Sequence, residues 1–285
     1  MRKWLIIVLF LVLFVSPVSA DLVAYDNLNT APGKLDGVST GWNLLPWFVQ
    51  NNNTTAYTVA SPGLTYLNLN VAGNCAIGDG QWLSAGIGIS MPNPWDAVQN
   101  EWSPYRKQDG DGRYKAGAEG TTLWASFLAR QDLSNNDYKV NFHQSHIAWN
   151  PGSEGGSVGL SNGVWAISEI GGGPSASSGV ARVVGQTYLM VLKIDFLTEG
   201  SDQMTLYVNP TPGLGAPNVT GASITTTKDF SLYGVMFYPS SSTNAGALDE
   251  LRFGNTFADV TPIPEPATIA LLVLGALGLL GRKRN

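Results

Sequence analysis

The chain has a single cysteine, Cys75, so no intramolecular disulfide can form. A chain of 285 residues can be held by burial alone, and a lone thiol between Gly-Asn and Ala-Ile reads as a small buried apolar residue. Histidine is almost as scarce, with only His143 and His146. His-x-x-His shares one face on a helix but splits between faces on a strand, and 138–149 reads as strand or loop. A zinc site needs further ligands, and no cysteine or glutamate lies close by, so these read as ordinary surface or edge histidines. Positive charge is in deficit as well. Between the two basic ends, 21 acidic residues stand against 11 basic ones, a balance of −10. That argues against nucleic acid and against an anionic membrane surface, and suits a soluble domain that meets divalent cations or neutral glycans. Long hydrophobic runs are missing except at the ends, and neither end reaches the ~20 residues of a spanning helix.

Both ends are segments to set apart from the fold. Arg2 and Lys3 precede an apolar stretch, Trp4 to Val15, and Pro17 is followed by Val18-Ser19-Ala20. This is the pattern of a signal peptide over 1–20, cut after Ala20. At the other end come Thr-Pro-Ile-Pro-Glu-Pro (261–266), an uncharged run of 14 residues from Ala267 to Leu280, and Arg282-Lys283-Arg284. As a helix the run is roughly 21 Å long at ~1.5 Å per residue, apolar all round, and reads as a temporary membrane stop with its basic end in the cytoplasm.

Pro264-Glu265-Pro266, a hydrophobic helix and a basic end, in that order, resemble a PEP-CTERM sorting tail. The resemblance implies export by signal peptidase in a Gram-negative bacterium and transient insertion in the inner membrane. It further implies cutting near Pro264-Glu265-Pro266 by an exosortase, and a place at the cell surface or in the exopolysaccharide matrix of a biofilm.

The remaining body, 21–260, shows no composition break and no internal repeat, and is expected to be one all-β domain, an antiparallel β-sandwich of jelly-roll type. Strands are predicted over 64–71, 121–130, 163–170, 188–196, 204–208, 233–238 and 248–253, with loops over 171–174 and 209–218. A helix is predicted at Pro94–Trp102, with Pro94 in its first turn. Several segments resemble concanavalin A-like and laminin-G-like jelly rolls: Tyr25-Asp26 with 33–37 and Gly41-Trp42, then 123–128, 192–196, 202–210, and 248–254 with 257–260. The resemblance implies the fold; ligand and activity vary on it.

Glycoside hydrolysis needs two carboxylates facing each other across the scissile bond. The Glu-x-Asp-x-x-Glu spacing found in glucanases of this superfamily is absent, and Glu169 stands alone on its strand. Asp249 and Glu250 are adjacent, so on a regular strand they point to opposite faces, one supporting structure and one meeting solvent. Composition leaves a Ser-His-Asp triad open, but no Gly-x-Ser-x-Gly elbow is expected. Asp109-Gly110-Asp111-Gly112 is half of a calcium loop, with Glu119 at no standard spacing; a solvated turn is the plain alternative. No other cofactor is implied. Of the eight tryptophans after residue 20, Trp124 and Trp165 sit in apolar strands and read as core. Trp82, Trp95, Trp102 and Trp149 lie among loop residues, where a ring is either a sugar platform or a plug for the end of the sandwich. Trp95, Asp96 and Trp102 are the candidate glycan site. Three functions fit: a non-catalytic matrix or surface protein that binds glycan, a glycan-processing enzyme, and a purely structural envelope component.

Overall fold

A computed structural model describes residues 21–49, 56–78, 84–90, 100–108, 114–133, 138–143, 155–198, 200–239 and 246–263. The fold is a sandwich of two large antiparallel sheets. In spatial order the first sheet holds Ala222–Thr225 (β16), Gln203–Val208 (β15), Thr187–Phe196 (β14), Thr121–Gln131 (β9), Gly246–Gly254 (β18), Cys75–Gly78 (β5), Tyr57–Ala60 (β4) and Gly33–Lys34 (β2). Its ninth strand, Leu22–Asp26 (β1), pairs with the second half of β18. The second sheet runs Ser175–Ala181 (β13), Val164–Glu169 (β12), Gly155–Ser161 (β11), Tyr138–His143 (β10), Gly234–Pro239 (β17), Ala85–Gly88 (β6) and Phe48–Val49 (β3). Arg106–Gln108 (β7) and Tyr114–Ala116 (β8) form a small separate hairpin.

The predicted central strands form because their apolar residues suit the pleat. β9 and β14 pair along their whole length, from Thr187 opposite Arg130 to Phe196 opposite Thr121. The space between the sheets is filled by aromatic rings from both: Phe127 against Phe142 (6.1 Å), Trp165 against Tyr188 (5.3 Å) and Phe142 against Phe253 (6.5 Å). Fully burying side chains of this size contributes roughly 1.5–3 kcal/mol each before entropy is counted.

A second apolar cluster lies on the far side of the nine-stranded sheet. Leu128, Leu189, Val191 and Ala247 point outward there and are covered by Leu64, Leu69, Phe257 and Val260. Phe257–Val260 is a single helical turn (α1), capped by Thr256, whose hydroxyl accepts from Asp259 N (3.2 Å) while Asp259 Oδ2 accepts from Thr256 N (2.8 Å). Cys75 belongs to this cluster, buried as expected. Trp165 is core; Trp124 lies on the outer face and stacks on Tyr207 at 6.0 Å.

Two elements differ from expectation. Residues 64–71 are a loop: Leu64 and Leu69 are buried, but a turn closed by Leu69 N to Tyr66 O (3.0 Å) sits between them. Its alternating leucines cover a sheet from outside instead of belonging to one. Of the predicted helix, 94–99 lies outside the described residues, and 100–102 leads into a 3-10 turn, Ser103–Tyr105.

Candidate functional site

The buried acids among the described residues are clamps on the backbone. Asp26 accepts from Leu28 N (2.9 Å), Thr40 (2.6 Å) and Trp47 Nε1 (2.7 Å). Asp202 accepts from Leu197 N (2.9 Å) and Phe230 N (2.6 Å), and burial raises its pKa. Glu169 accepts from the amide and hydroxyl of Thr227 (3.0 and 2.9 Å).

Asp249 and Glu250 correct the expectation drawn from strand alternation. Between Asp249 and Arg252 the register against β9 slips by one residue, and Glu250 takes a left-handed φ of 55°. The inserted residue resets the phase of β18, so Leu248, Leu251 and Phe253 face the inter-sheet core while Asp249 and Arg252 face outward. Both acids are buried, and neither meets solvent. Asp249 accepts from Leu64 N (2.7 Å) and Glu250 N (2.7 Å). Glu250 accepts from Ala72 N (2.5 Å), from Tyr25 hydroxyl (2.7 Å) and from Arg252. Arg252 also donates to Asn70 O and lies over the Tyr25 ring at 5.1 Å. Burial, with the neighbouring Glu250 second, pushes the Asp249 carboxyl up to about 8; burial also raises Glu250. The cluster fastens the 61–73 loop onto the sheet, which is a structural use.

Trp102 is likewise corrected. Its ring is fully buried against Phe253 (5.2 Å) and Tyr105 (6.4 Å), and its Nε1 donates to Asn43 O (2.9 Å). It plugs the sandwich and offers no face to a sugar. Trp95, Asp96, Asp109, Asp111, Trp82, Trp149 and His146 lie outside the described residues, as do Ala20, Pro264, Glu265 and Pro266. Among the described residues no group of three or more His, Cys, Asp or Glu is placed to hold a metal.

The polar groups that do gather sit on the outer face of the seven-stranded sheet. In β10, Val140 and Phe142 point into the core, so Lys139, Asn141 and His143 point outward. In register with them stand Gly159, Ser157 and Gly155 of β11, and Tyr238, Met236 and Gly234 of β17. Ser168 of β12 faces Ser157, Gly86 of β6 faces Met236, and Phe48 of β3 faces Gly86. Glycine and serine keep the floor low. Asn141 is 9 % exposed and its Oδ1 has no hydrogen-bond partner; His143 is 4 % exposed, and burial lowers its pKa to about 4, so it is neutral at pH 7. At the far end of β10 Lys139 is exposed, Tyr238 half-buried, and Phe48 is 45 % exposed at the sheet edge. Gly155–Gly159 and Gly159–Gly163 both have the Gly-x-Ser-x-Gly pattern, but they lie in β11 and the turn after it, not on a strand-to-helix elbow.

The fold thus defines an antiparallel β-sandwich with a polar outer face. Residues 262–284 match the PEP-CTERM protein-sorting motif. The motif supports an exported, exosortase-sorted protein, directed across the inner membrane toward the cell surface of a Gram-negative bacterium. Among the described residues no helix is long and apolar enough to cross a membrane; the run from Ala267 to Leu280 lies outside them. No curated protein matches the chain. Similar solved structures include a protein of unknown function from Shewanella oneidensis, at 12% identity and TM-score 0.48, covering 90% of this chain and 95% of that one. An endo-β-1,4-glucuronan lyase from the fungus Trichoderma reesei is similar at 15% identity and TM-score 0.42, covering 83% and 96%. The alginate lyase Aly36B is similar at 12% identity and TM-score 0.43, covering 82% and 98%.

Proposed function

We propose that this is a non-catalytic glycan-binding protein of the cell surface or exopolysaccharide matrix, taking its ligand on the outer face of the seven-stranded sheet. The observation that carries the reading is Asn141. Its carbonyl oxygen is buried on that face without a partner, between Ser157 and Met236 on the neighbouring strands. An unsatisfied buried acceptor costs ~1–3 kcal/mol, which a sugar hydroxyl would recover once the groups over that oxygen shift to admit it. The small floor around it fits a flat chain of rings, and Tyr238 and Phe48 supply apolar faces at the rim. The buried acids support the non-catalytic part: each of those described above is bonded to groups of the fold, with Glu169 Oε2 the one buried carboxylate oxygen among them that has no partner. Calcium binding at Asp109 and Asp111 remains part of the proposal as an aid to glycan binding.

A glycan-processing enzyme is the alternative, because the imidazole of His143 shares the outer face of β10 with Asn141; burial keeps it neutral and makes it a weak base. Incubating the protein with the producing strain's exopolysaccharide separates the two. New reducing ends or unsaturated ends, lost in His143→Gln, would replace the binding reading with the enzymatic one. Saturable binding with no new chain ends supports the first.

A further inference from the structure

The chain leaves the sandwich beside two loops that carry no charge. Residues 61–73 and 209–218 contain no Asp, Glu, Lys or Arg, in a chain where these make up 13%. Both loops are bonded to the exit: Asn70 N donates to Pro262 O (2.8 Å) and Gly213 N donates to Thr261 O (2.8 Å). The exit itself is fixed. Thr261 is fully buried and donates to Phe257 O (2.8 Å), and Ser126 donates to Val260 O (2.6 Å).

Each loop presents an exposed leucine, Leu67 at 75 % exposure, three residues before Asn70, and Leu214 at 40 %, beside Gly213. Leu67 sits at φ 42°, in the left-handed region. Leucine has no packing to gain there, and the backbone favours Gly or Asn. The use of an apolar side chain at this position lies outside the sandwich.

Chain length indicates where. Four Cα steps separate Ile263 from Ala267, where the uncharged run begins, and at ~3.6 Å per step they reach at most about 14 Å. With that run in the bilayer, the face around the exit is held at the headgroup layer. We propose that this face is a membrane-docking surface: while the chain is tethered, Leu67 and Leu214 enter the boundary between headgroups and acyl chains, with half-buried Tyr66 next to Leu67 in the chain. The proposal rests on reading the tail as a membrane stop. Interfacial apolar groups settle ~5–10 Å deep, within the reach of the link. The acidic balance of the body opposes an anionic surface, so the contact is apolar and depends on the tether, which supplies a high effective concentration. Cutting the tail therefore releases the domain.

The test uses the chain from Asp21 to Asn285 as Leu67→Cys, Leu214→Cys and Phe48→Cys variants, each carrying an environment-sensitive fluorophore. Cys75 stays silent, being buried with its thiol pushed up to about 11. The proteins are reconstituted with vesicles of phosphatidylethanolamine and phosphatidylglycerol, and flotation is read separately from quenching by shallow spin-labelled lipids. We expect flotation of all three, with quenching at 67 and 214 at least about threefold that at 48, which lies on the opposite sheet. Flotation with equal quenching at the three positions overturns the docking surface and leaves the tail reading standing. Absence of flotation overturns the tail reading, and the docking surface with it.

Discussion

At the scale of single residues, the two titrating groups with the largest consequences act in opposite senses. Asp249 has a folded-state value of about 8 against an ordinary 3.8, so between those values the folded protein holds a proton that the unfolded chain has lost. Its contribution to stability is full below pH ~3.8 and is lost as pH rises through about 8. His143 is lowered from 6.5 to about 4, so its contribution is full above pH ~6.5 and is lost as pH falls through about 4. The window from 6.5 to 8 therefore isolates Asp249 from His143. The melting temperature of the wild type should fall across that window, and Asp249→Asn should flatten the fall; parallel curves for the two would remove the protonated carboxyl from the account. Trp102 gives a second prediction at this scale. Trp102→Ala should cost about 3–5 kcal/mol in denaturant unfolding, because a fully buried ring is lost from the core. Glycan affinity should survive in the milder Trp102→Phe. A tryptophan between Glu and Ser has the local setting of a loop residue, and only the tertiary fold shows Phe253 and Tyr105 closing over it.

At the scale of elements, β18 shows how one inserted residue turns a strand into a fastening. Glu250 and Arg252 form a buried pair that holds the 61–73 loop through Ala72 N and Asn70 O. Removing Arg252 alone leaves the Glu250 charge buried, so Arg252→Met should destabilise by about 3–5 kcal/mol. The double variant Arg252→Met/Glu250→Gln should recover part of that loss, since no charge is then stranded; a double-variant loss equal to the sum of the Arg252→Met and Glu250→Gln losses in chemical denaturation would show that the pair is not coupled. The sequence of β18 is readable as a strand, as are β9, β14, β15 and β17, because apolar residues dominate each. The bulge leaves only a faint sign, since strict alternation puts Leu248 and Leu251 on opposite faces, and Glu250's left-handed φ is what brings both to the core. For the opposite reason β10 reads as strand or loop in the sequence, and β11 carries no strand signal. Their outward positions are Gly, Ser, Lys, Asn and His, the composition of a loop, although Val140, Phe142, Val158 and Leu160 hold them in the sheet. The candidate face is built on those two strands, so the residues that carry it gave the weakest local signal.

At the scale of the whole molecule, the two outer faces of the sandwich are built differently. The nine-stranded sheet is covered by the 61–73 loop, α1 and the exit toward the sorting motif; the seven-stranded sheet turns its polar face the other way. A protein held by its tail would thus present Asn141 and Tyr238 away from the membrane, toward a matrix glycan. The tail was legible because its three parts follow each other in a fixed order, whereas the glycan face depends on strands that meet only in the fold. Deleting Pro264 to Asn285 should leave the protein exported but unsorted, as read by membrane fractionation; unchanged membrane processing would contradict the role of the motif. The central claim is glycan binding on the seven-stranded sheet, and calorimetric titration of Asp21–Ile263 with the producing strain's exopolysaccharide, with and without calcium, tests it most directly. The account predicts saturable binding, weakened about tenfold or more in Asn141→Ala through the loss of one buried hydrogen bond, and unchanged in Trp102→Phe. No binding under either condition, or equal affinity in wild type and Asn141→Ala, would contradict it.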